Sequence, residues 1–498
     1  MTEFELKLEI PAASLPRVAA SMRKGKAMRQ RLQAKYFDTA EGLLARHGIV
    51  VRVRKEGQCW VQTAKGPTSG SLERLEHNVR LTAQAPGGVH QVDLARHAAT
   101  PVGQAIEAAL SLKSGEAFPV LHQLYETDVQ RTSRTVKRAG SVVELALDQG
   151  RVMAGAHVVA LCELEVELKS GHTGDAAALA RQWCARHGLW LSTISKSMKG
   201  QRLLSGEVAG PAVGAVAPGY QRQATAAQVA SAVLQACLGQ IMRNASEVAS
   251  GSHDPDHVHQ LRVGIRRLRT ALHEISGLAE DIDPAWAVTL VDVFRALGRH
   301  RDHGHLTHKL QPLLQAAGGP ALNPGPASMD LADVGALVRS PAFQDVLLGL
   351  TGFAYRTRHA APEKHDSTGV TVKKDIRLRL HKLHFQALKY GKKFLSLNEA
   401  QQHDVRKRLK RLRYLAEFSA PLFSGRKVRA FIAALKPAQD ALGLHNDEIM
   451  AAHAYRVLAE SNTPAWFGVG WLTARHMPNA RRCLKEVKNF AKVKPFWD

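Results

Sequence analysis

The chain is short of cysteine, of aromatic residues and of acid. Five cysteines (Cys59, Cys162, Cys184, Cys237 and Cys483) are scattered over 498 residues with no C-x-x-C spacing. An odd, sparse set argues against a disulfide framework or a thiolate zinc site and fits a reducing compartment. Phe, Trp and Tyr make up only 6% of the residues, so stacking platforms for nucleic-acid bases are scarce. No apolar run reaches about 18 residues, so no membrane-spanning helix is expected. The opening Met-Thr-Glu-Phe-Glu-Leu-Lys lacks the basic-then-apolar pattern of a signal peptide, which makes the cytoplasm the expected location.

The acid deficit is the strongest of these shortages. Asp and Glu number 44 against 68 Lys and Arg, giving a net charge of +24. Residues 221–498 carry +16 of it and 16 of the 24 histidines, while residues 1–220 carry +8. A surface of this sign calls for phosphate-rich partners: nucleic acid, an anionic membrane face or free phosphate chains.

Length alone allows two to four domains. Residues 3–10, 49–54, 142–147 and 161–168 alternate with period two and predict strands; residues 175–188 predict a helix. Residues 206–222 are rich in Gly, Pro and Ala and read as a linker. From Thr225 the period becomes helical, with segments at 225–250, 257–280, 285–300, 373–395, 400–420 and 427–443, and a Pro/Gly-rich loop at 311–330. The expected partition is 1–205, linker 206–222, and 223–498.

The helical part contains a repeat. His-Gln-Leu-Arg-Val-Gly-Ile-Arg-Arg-Leu-Arg (259–269) and His-Asp-Val-Arg-Lys-Arg-Leu-Lys-Arg-Leu-Arg (403–413) share H-x-x-R-x-x-x-[RK]-R-L-R at an offset of 144. At about 100° per residue, His259, Arg262, Arg266 and Arg269 fall within an arc of about 80°. His403, Arg406, Lys410 and Arg413 do the same, while Arg267 and Arg411 lie off the arc, toward its rim. Leu297-Gly-Arg-His-Arg-Asp302 echoes Leu442-Gly-Leu-His-Asn-Asp447 at an offset of 145, and Asp302 and Asp447 are placed to orient neighbouring arginines. The crowded histidines (His257 and His259; His300, His303, His305 and His308) suggest anion contacts or helix caps more than a metal site.

In the strands, the alternating partner of the apolar residues is charged on both signs. Glu3, Glu5 and Lys7 share a face of one strand, Arg52 and Arg54 of another, and Glu163, Glu165 and Glu167 of a third. Carboxylates and guanidinium groups on separate strands suggest a barrel with a charged lumen. Carboxylates hold hard divalent cations, and Arg and Lys hold phosphates.

These motifs resemble the CYTH superfamily, the triphosphate tunnel metalloenzymes. The resemblance rests on Glu3-x-Glu5-x-Lys7, Tyr36-Phe-Asp-Thr39, the run from Gly48 to Arg54, Trp60-Val-Gln-Thr-Ala-Lys65-Gly and Arg74-Leu-Glu76. It continues through Thr127-Asp128 with Arg131, the run from Cys162 to Gly171, and Ser195-Lys196-Ser197. It implies an eight-stranded antiparallel tunnel (α+β) that binds triphosphate with Mg²⁺ or Mn²⁺. Glu3, Glu5, Glu165 and Glu167, and more weakly Glu76, would hold metal. Lys7, Arg52, Arg54, Lys65, Arg74, Arg131 and Lys196 would cradle phosphates, with Glu5, Lys7 and Lys65 in the catalytic set; Glu163 receives no role. The implied reaction is attack of water on a terminal phosphorus, with the general base left open.

Residues 223–498 resemble the CHAD domain, an all-α domain of two four-helix repeats. That resemblance implies binding of inorganic polyphosphate, including its granules, through His259, Arg262, Arg266, Arg267, Arg269, His403, Arg406, Lys410, Arg411 and Arg413. The expected protein is thus a multidomain inorganic triphosphatase with polyphosphate as partner, no membrane, and nucleic acid disfavoured. Two alternatives stand beside it: an organic triphosphate as substrate of the same lumen, hydrolysed or cyclised, and a non-catalytic polyphosphate-binding protein.

Overall fold

The computed structural model describes residues 2–68, 72–81, 91–113, 116–275, 282–322, 333–359 and 369–498. Nine strands form one antiparallel sheet: β1 (Thr2–Glu9), β2 (Met28–Asp38), β3 (Val50–Glu56), β4 (Cys59–Pro67), β5 (Glu73–Leu81), β6 (His122–Arg138), β7 (Ser141–Ala154), β8 (His157–Ser170) and β9 (Trp190–Ser192). The hydrogen-bonded order is β5-β4-β3-β2-β6-β7-β8-β1-β9, and β5 also pairs with β1. That extra pairing closes β1–β8 into an eight-stranded antiparallel barrel, and β9 is a short strand that follows β5 along the same edge of β1. The hairpin between β6 and β7 turns on Ala139 and Gly140, both at positive φ (47° and 84°), the two-residue geometry that suits strand twist.

The barrel is apolar outside and charged inside. Phe4, Leu6 and Leu8 are at most 5% exposed, and they point outward from β1, away from Glu3, Glu5 and Lys7. Helices α1 (Leu15–Met22), α2 (Leu43–Arg46), α3 (Pro101–Ala109) and α4 (Thr173–His187) cover this outer face, whereas α5 (Lys196–Ser205) starts in the lumen and packs Leu203 against the cluster that holds Ala34, Tyr36 and Val129. Helix α4 supplies the expected Ala/Leu face, burying Ala176, Ala177, Leu179, Ala180 and Trp183. Burial of such faces is the main favourable term holding helix to sheet.

The rest of the described chain is helical: α6 (Ala226–Ala249), α7 (Pro255–Glu274), α8 (Pro284–His305), α9 (Gln311–Ala316), α10 (Val334–Arg339), α11 (Pro341–His359), α12 (Gly369–Gly391), α13 (Glu399–Phe418), α14 (Gly425–Ala459) and α15 (Trp466–Phe490). Three departures from expectation stand out. Helix α9 occupies the start of the stretch expected as a loop at 311–330, of which residues 323–330 lie outside the described residues. Helices α11 and α15 were not among the expected segments. Helix α14 runs on through Pro437 and Gly443 to Ala459 rather than stopping near 443, because its apolar face (Leu435, Ala438, Ala441, Leu442, Ala451) stays buried across both.

By contacts the chain divides into two compact units. One holds Met1–Gly214, Leu238–Leu261 and Val334–Arg356; the other holds Ala215–Cys237, Arg262–Asp333 and Thr357–Asp498. Residues 206–222 contain no helix or strand. Within the first unit they are nonetheless tied down: Val213 N–H donates to Asn244 Oδ1 (3.0 Å), Asn244 Nδ2 donates back to Val213 O (2.9 Å), and Gly210 O meets His257 Nε2 at 2.9 Å. All five cysteines are unpaired, and among the described residues no helix is long and apolar enough to cross a membrane.

A buried polar grip beside β4 sets a pH limit. Gln62 accepts from Asp93 N–H (3.1 Å) and donates to Asp93 O (2.7 Å), which fixes its amide and aims its second N–H at His97 Nε2, 2.9 Å away. His97 is fully buried and its other nitrogen faces His77 Nδ1 at 2.9 Å. A proton on Nε2 would oppose the Gln62 donor. Burial and His77 together lower the His97 pKa from 6.5 to about 4. A lowered folded value means stability that is complete above about 6.5 and lost as pH falls toward about 4, by up to about 3 kcal/mol. Urea unfolding between pH 7.5 and 4 should show this loss, and His97→Gln should flatten its slope.

Candidate active site

Cross-strand register builds the lumen. Around the ring, charged residues sit opposite one another: Glu3 with Arg74, Glu5 with Glu167, Lys7 with Glu165, Lys65 with Glu76, and Arg131 with Asp148. Tyr36 lies opposite Arg52. Opposite charges across an antiparallel pair attract, and like charges such as Glu5 and Glu167 repel. The result is a cavity of about 530 Å³ lined by eight cations and seven carboxylates. Every residue expected in the tunnel lines it: Glu3, Glu5, Lys7, Arg52, Arg54, Lys65, Arg74, Glu76, Arg131, Glu165, Glu167 and Lys196.

The charges form two clusters. In the first, Lys65 Nζ lies 2.6 Å from Glu3 and 2.9 Å from Glu76. Burial and a hydrogen bond donated to Glu76 push Glu3 up to about 8. Burial also favours neutral Glu76, but its bond to Glu3 and the Lys65 charge hold it low. The pair therefore keeps one proton at neutral pH. Burial would neutralise Lys65, yet Glu3 and Glu5 outweigh it and keep the ammonium charged.

The second cluster centres on Asp148, fully buried on β7. Arg131 grips it with two hydrogen bonds of 2.7 and 2.6 Å and also donates to Glu165. Lys196, the first residue of α5, reaches Asp148 (2.7 Å), Glu163 (2.5 Å) and Glu165 (2.6 Å). Burial disfavours the Lys196 ammonium, but these three carboxylates raise its pKa well above the usual value. Burial alone would raise Glu165, and Lys196 with Arg131 hold it well below. Glu5 is the outlier: burial and the facing charge of Glu165 raise its pKa.

The donor set fits a hard divalent cation. Asp148, Glu163 and Glu165 bring carboxylate oxygens within 4.8 Å of one another. Glu163 Oε2 is buried with no hydrogen bond and only the Lys199 ammonium at 3.6 Å, and Glu5 is a carboxylate forced among others; a divalent cation would add charge compensation to both.

Among the residues that escaped the sequence reading are Glu144 and Lys169 of the lining, Asp148, Glu163 and Tyr36. Asp148 closes the β7 alternation that begins at Glu144, so the period was the available signal. Glu163, given no role, is fully buried against Lys196. Tyr36 is buried in the lumen wall: burial would raise its pKa, but Arg52 and Lys196 lower it. Arg54 turns partly to Glu56, with Nε 2.7 Å from its carboxylate.

In the second unit the cationic stripes are less exposed than a free helix face. Arg262 is buried, donates to Phe294 O (3.1 Å) and lies 4.6 Å from the Phe294 ring, with Arg266 and Arg269 at 5.4 and 5.5 Å. Gly298 of the echoed motif leaves room for it, since a Cβ there would stand 2.6 Å from Arg262 Nη1. In the other repeat, Gln439 occupies the place of Phe294 and accepts from Arg413 (3.2 Å). His403 is exposed and meets Asn446 at 2.5 Å, Arg406 lies 3.8 Å from Asp447, and Lys410 is half-buried. His259 is exposed. The side chains of Arg301, Asp302, His303 and His305 lie outside the described residues.

Arg267 does not sit at a rim, while Arg411 stays partly exposed. Arg267 is 2% exposed, paired with Glu417 and set against Tyr414 and Phe418. Arg411 Nε donates to the buried Glu274 at 2.8 Å. The off-arc arginines are thus the ones that join α7 to α13. A smaller cavity of about 250 Å³, lined by His445, Glu448 and His476 among others, takes none of the ten stripe residues.

The CYTH domain model matches residues 1–200, and the CHAD domain model matches residues 232–456. The chain joins a CYTH domain to a CHAD domain. Over 211 residues it is 28% identical to the inorganic triphosphatase of Haemophilus influenzae, a match covering 41% of this chain and 55% of that protein. The chain thus spans about half the length of this curated relative. Among solved structures, the CHAD domain of Ricinus communis is 26% identical and covers 57% of this chain and 98% of its own, with a TM-score of 0.49. A Hippeastrum protein described as an adenylyl cyclase candidate with a dominant triphosphatase activity is 14% identical, covering 41% and 96%, with a TM-score of 0.28.

Removing the hub of the second cluster should be costly. Asp148→Ala leaves Arg131 and Lys196 short of a buried partner and is expected to lower unfolding free energy by about 3 kcal/mol in urea titration.

Proposed function

We propose that the barrel hydrolyses inorganic triphosphate with Mg²⁺ or Mn²⁺, and that the helical region binds inorganic polyphosphate. The carrying observation is the convergence of eight cations and seven carboxylates in one closed lumen. Such a lining suits a small, highly charged phosphate better than an apolar ligand. The name of the Haemophilus influenzae relative points the same way.

Arg52, Arg54, Arg74, Arg131, Lys65 and Lys196 supply the donors that bind the phosphates and stabilise charge developing on their oxygens. Glu3, Glu5, Glu76, Glu165 and Glu167, with Asp148 and Glu163 beneath, are the carboxylates that would hold the cation. A bound divalent cation would supply Lewis-acid neutralisation of phosphate charge. Lys7, on the same strand as Glu5, orients the terminal phosphate. A lumen carboxylate, Glu5 among them, takes the proton of the attacking water. Lys65 stays protonated beside Glu3 and acts through its charge. The five unpaired cysteines support a cytoplasmic location.

Purified protein should release phosphate from tripolyphosphate with Mg²⁺ or Mn²⁺ and stop when EDTA is added. Glu5→Gln or Lys7→Ala should lower kcat by at least about 100-fold. Full activity in both variants rules the lumen out as the reaction site.

For the helical region, the charge of residues 221–498 and the repeated stripe support a polyanion without bases to stack. Phe294 does not offer a platform, because three guanidinium groups already surround its ring. Binding to long-chain polyphosphate should weaken steeply with salt. Arg266→Glu with Lys410→Glu should weaken it at least about tenfold more than Lys488→Glu with Lys492→Glu, as read by fluorescence titration. Equal losses would leave net charge as the sole determinant.

A further inference from the structure

Lys196 reaches the lumen from the segment Trp190–Lys196, and that segment is held from outside the barrel. Strand β9 pairs with β1 on one edge only. Its outer edge presents the N–H groups of Leu191 and Thr193, two residues apart and so on the same side. Unpaired strand edges need partners, particularly when buried. Here the partners are side chains. Leu191 N–H donates to Gln344 Oε1 of α11 at 2.8 Å, and Thr193 N–H donates to Ser246 Oγ of α6 at 2.9 Å.

Both acceptors are themselves fixed. Gln344 is 2% exposed and donates to Val338 O (2.7 Å); Ser246 is 1% exposed and donates to Met242 O (2.7 Å). Further contacts bind the same helices to the same wall. Arg339 lies over the Trp190 ring and donates to Ala249 O (2.8 Å). Arg181 of α4 pairs with Asp345 through two bonds of 2.8 Å, and Phe4 of β1 meets Tyr355 edge-on at 5.0 Å. Lys7 Nζ reaches Ile194 O at 3.5 Å, so the clamped segment touches a second lumen cation. All of these residues belong to the first compact unit.

Ser246 and Gln344 lie within the stretch matched by the CHAD model. We propose that they are positioning residues for the tunnel: they fix the backbone of Leu191–Thr193 and thereby place Lys196 for substrate phosphate. This inference rests on the triphosphate reading of the lumen. Residues of the helical family segment would then help set the affinity of the barrel.

The test is a thermodynamic cycle in the full-length chain. Ser246→Ala with Gln344→Met is combined with Lys196→Met, and tripolyphosphate binding is measured by calorimetry. Amide exchange over residues 190–196 is followed in parallel. In the native background the pair should weaken binding about tenfold and speed exchange, whereas in the Lys196→Met background its effect on binding should fall below about twofold. Ser246→Thr, which keeps the acceptor, should retain binding within about twofold of the unaltered chain. Should the pair not fold, Ser246→Ala alone carries the cycle. An equal loss in both backgrounds, or unchanged exchange over 190–196, overturns the positioning role even where tripolyphosphate binds. No binding by the unaltered chain overturns the reading of the lumen, and the inference with it.

Discussion

A closed ring of strands that turns charge inward is stable only if each buried charge meets its opposite. Asp148 is where this constraint is tightest. It is fully buried, holds Arg131 with two hydrogen bonds and touches Lys196. Through these contacts β6, β7, β8 and the start of α5 are bound by one electrostatic network. Glu163 and Glu165 share it. Desolvation works against Arg131, Glu165 and Lys196, and the opposite charges beside them offset it. A site made this way is prepared for anion and cation alike, since its own ions already occupy the places that ligands would take.

The helical repeat solves a related problem differently. Its two basic helices are joined by arginines reaching across: Arg267 of one repeat to Glu417 of the other, and Arg411 to Glu274. The remaining cations settle around what each half offers, a phenyl ring at Phe294 in one and the amide of Gln439 in the other. The halves keep the same stripe while surrounding it with unlike chemistry.

Much of the barrel was legible in the chain because strand period is two and its apolar and charged residues keep strictly to opposite faces. Glu3, Glu5, Lys7, Arg52 and Arg54 could be placed on a common wall from spacing and resemblance together. Asp148 was missed since the alternation was read only over 142–147, one residue short of it, and Asp148-Gln149-Gly150 looks like a turn. Arg267 and Arg411 were misplaced because helical phase gives a direction but not a neighbour. Buried Arg267 is held by Glu417 and partly exposed Arg411 by Glu274, each more than 130 residues away in the chain. Likewise, nothing local to Ser246 or Gln344 reveals that a strand edge awaits them, and Pro437 reads as a stop only until the packing around it is known.

The order of the ring bears on how the chain is made. Strand β1 is synthesised early, yet its partners β5, β8 and β9 lie at 73–75, 163–168 and 190–192. On the ribosome, the alternating leucines and glutamates of β1 must wait until the segment through Ser192 has emerged before both edges can pair along their full length. A nascent chain therefore carries an unclosed sheet for most of the barrel's translation, a state in which exposed edges invite misassembly and chaperone capture.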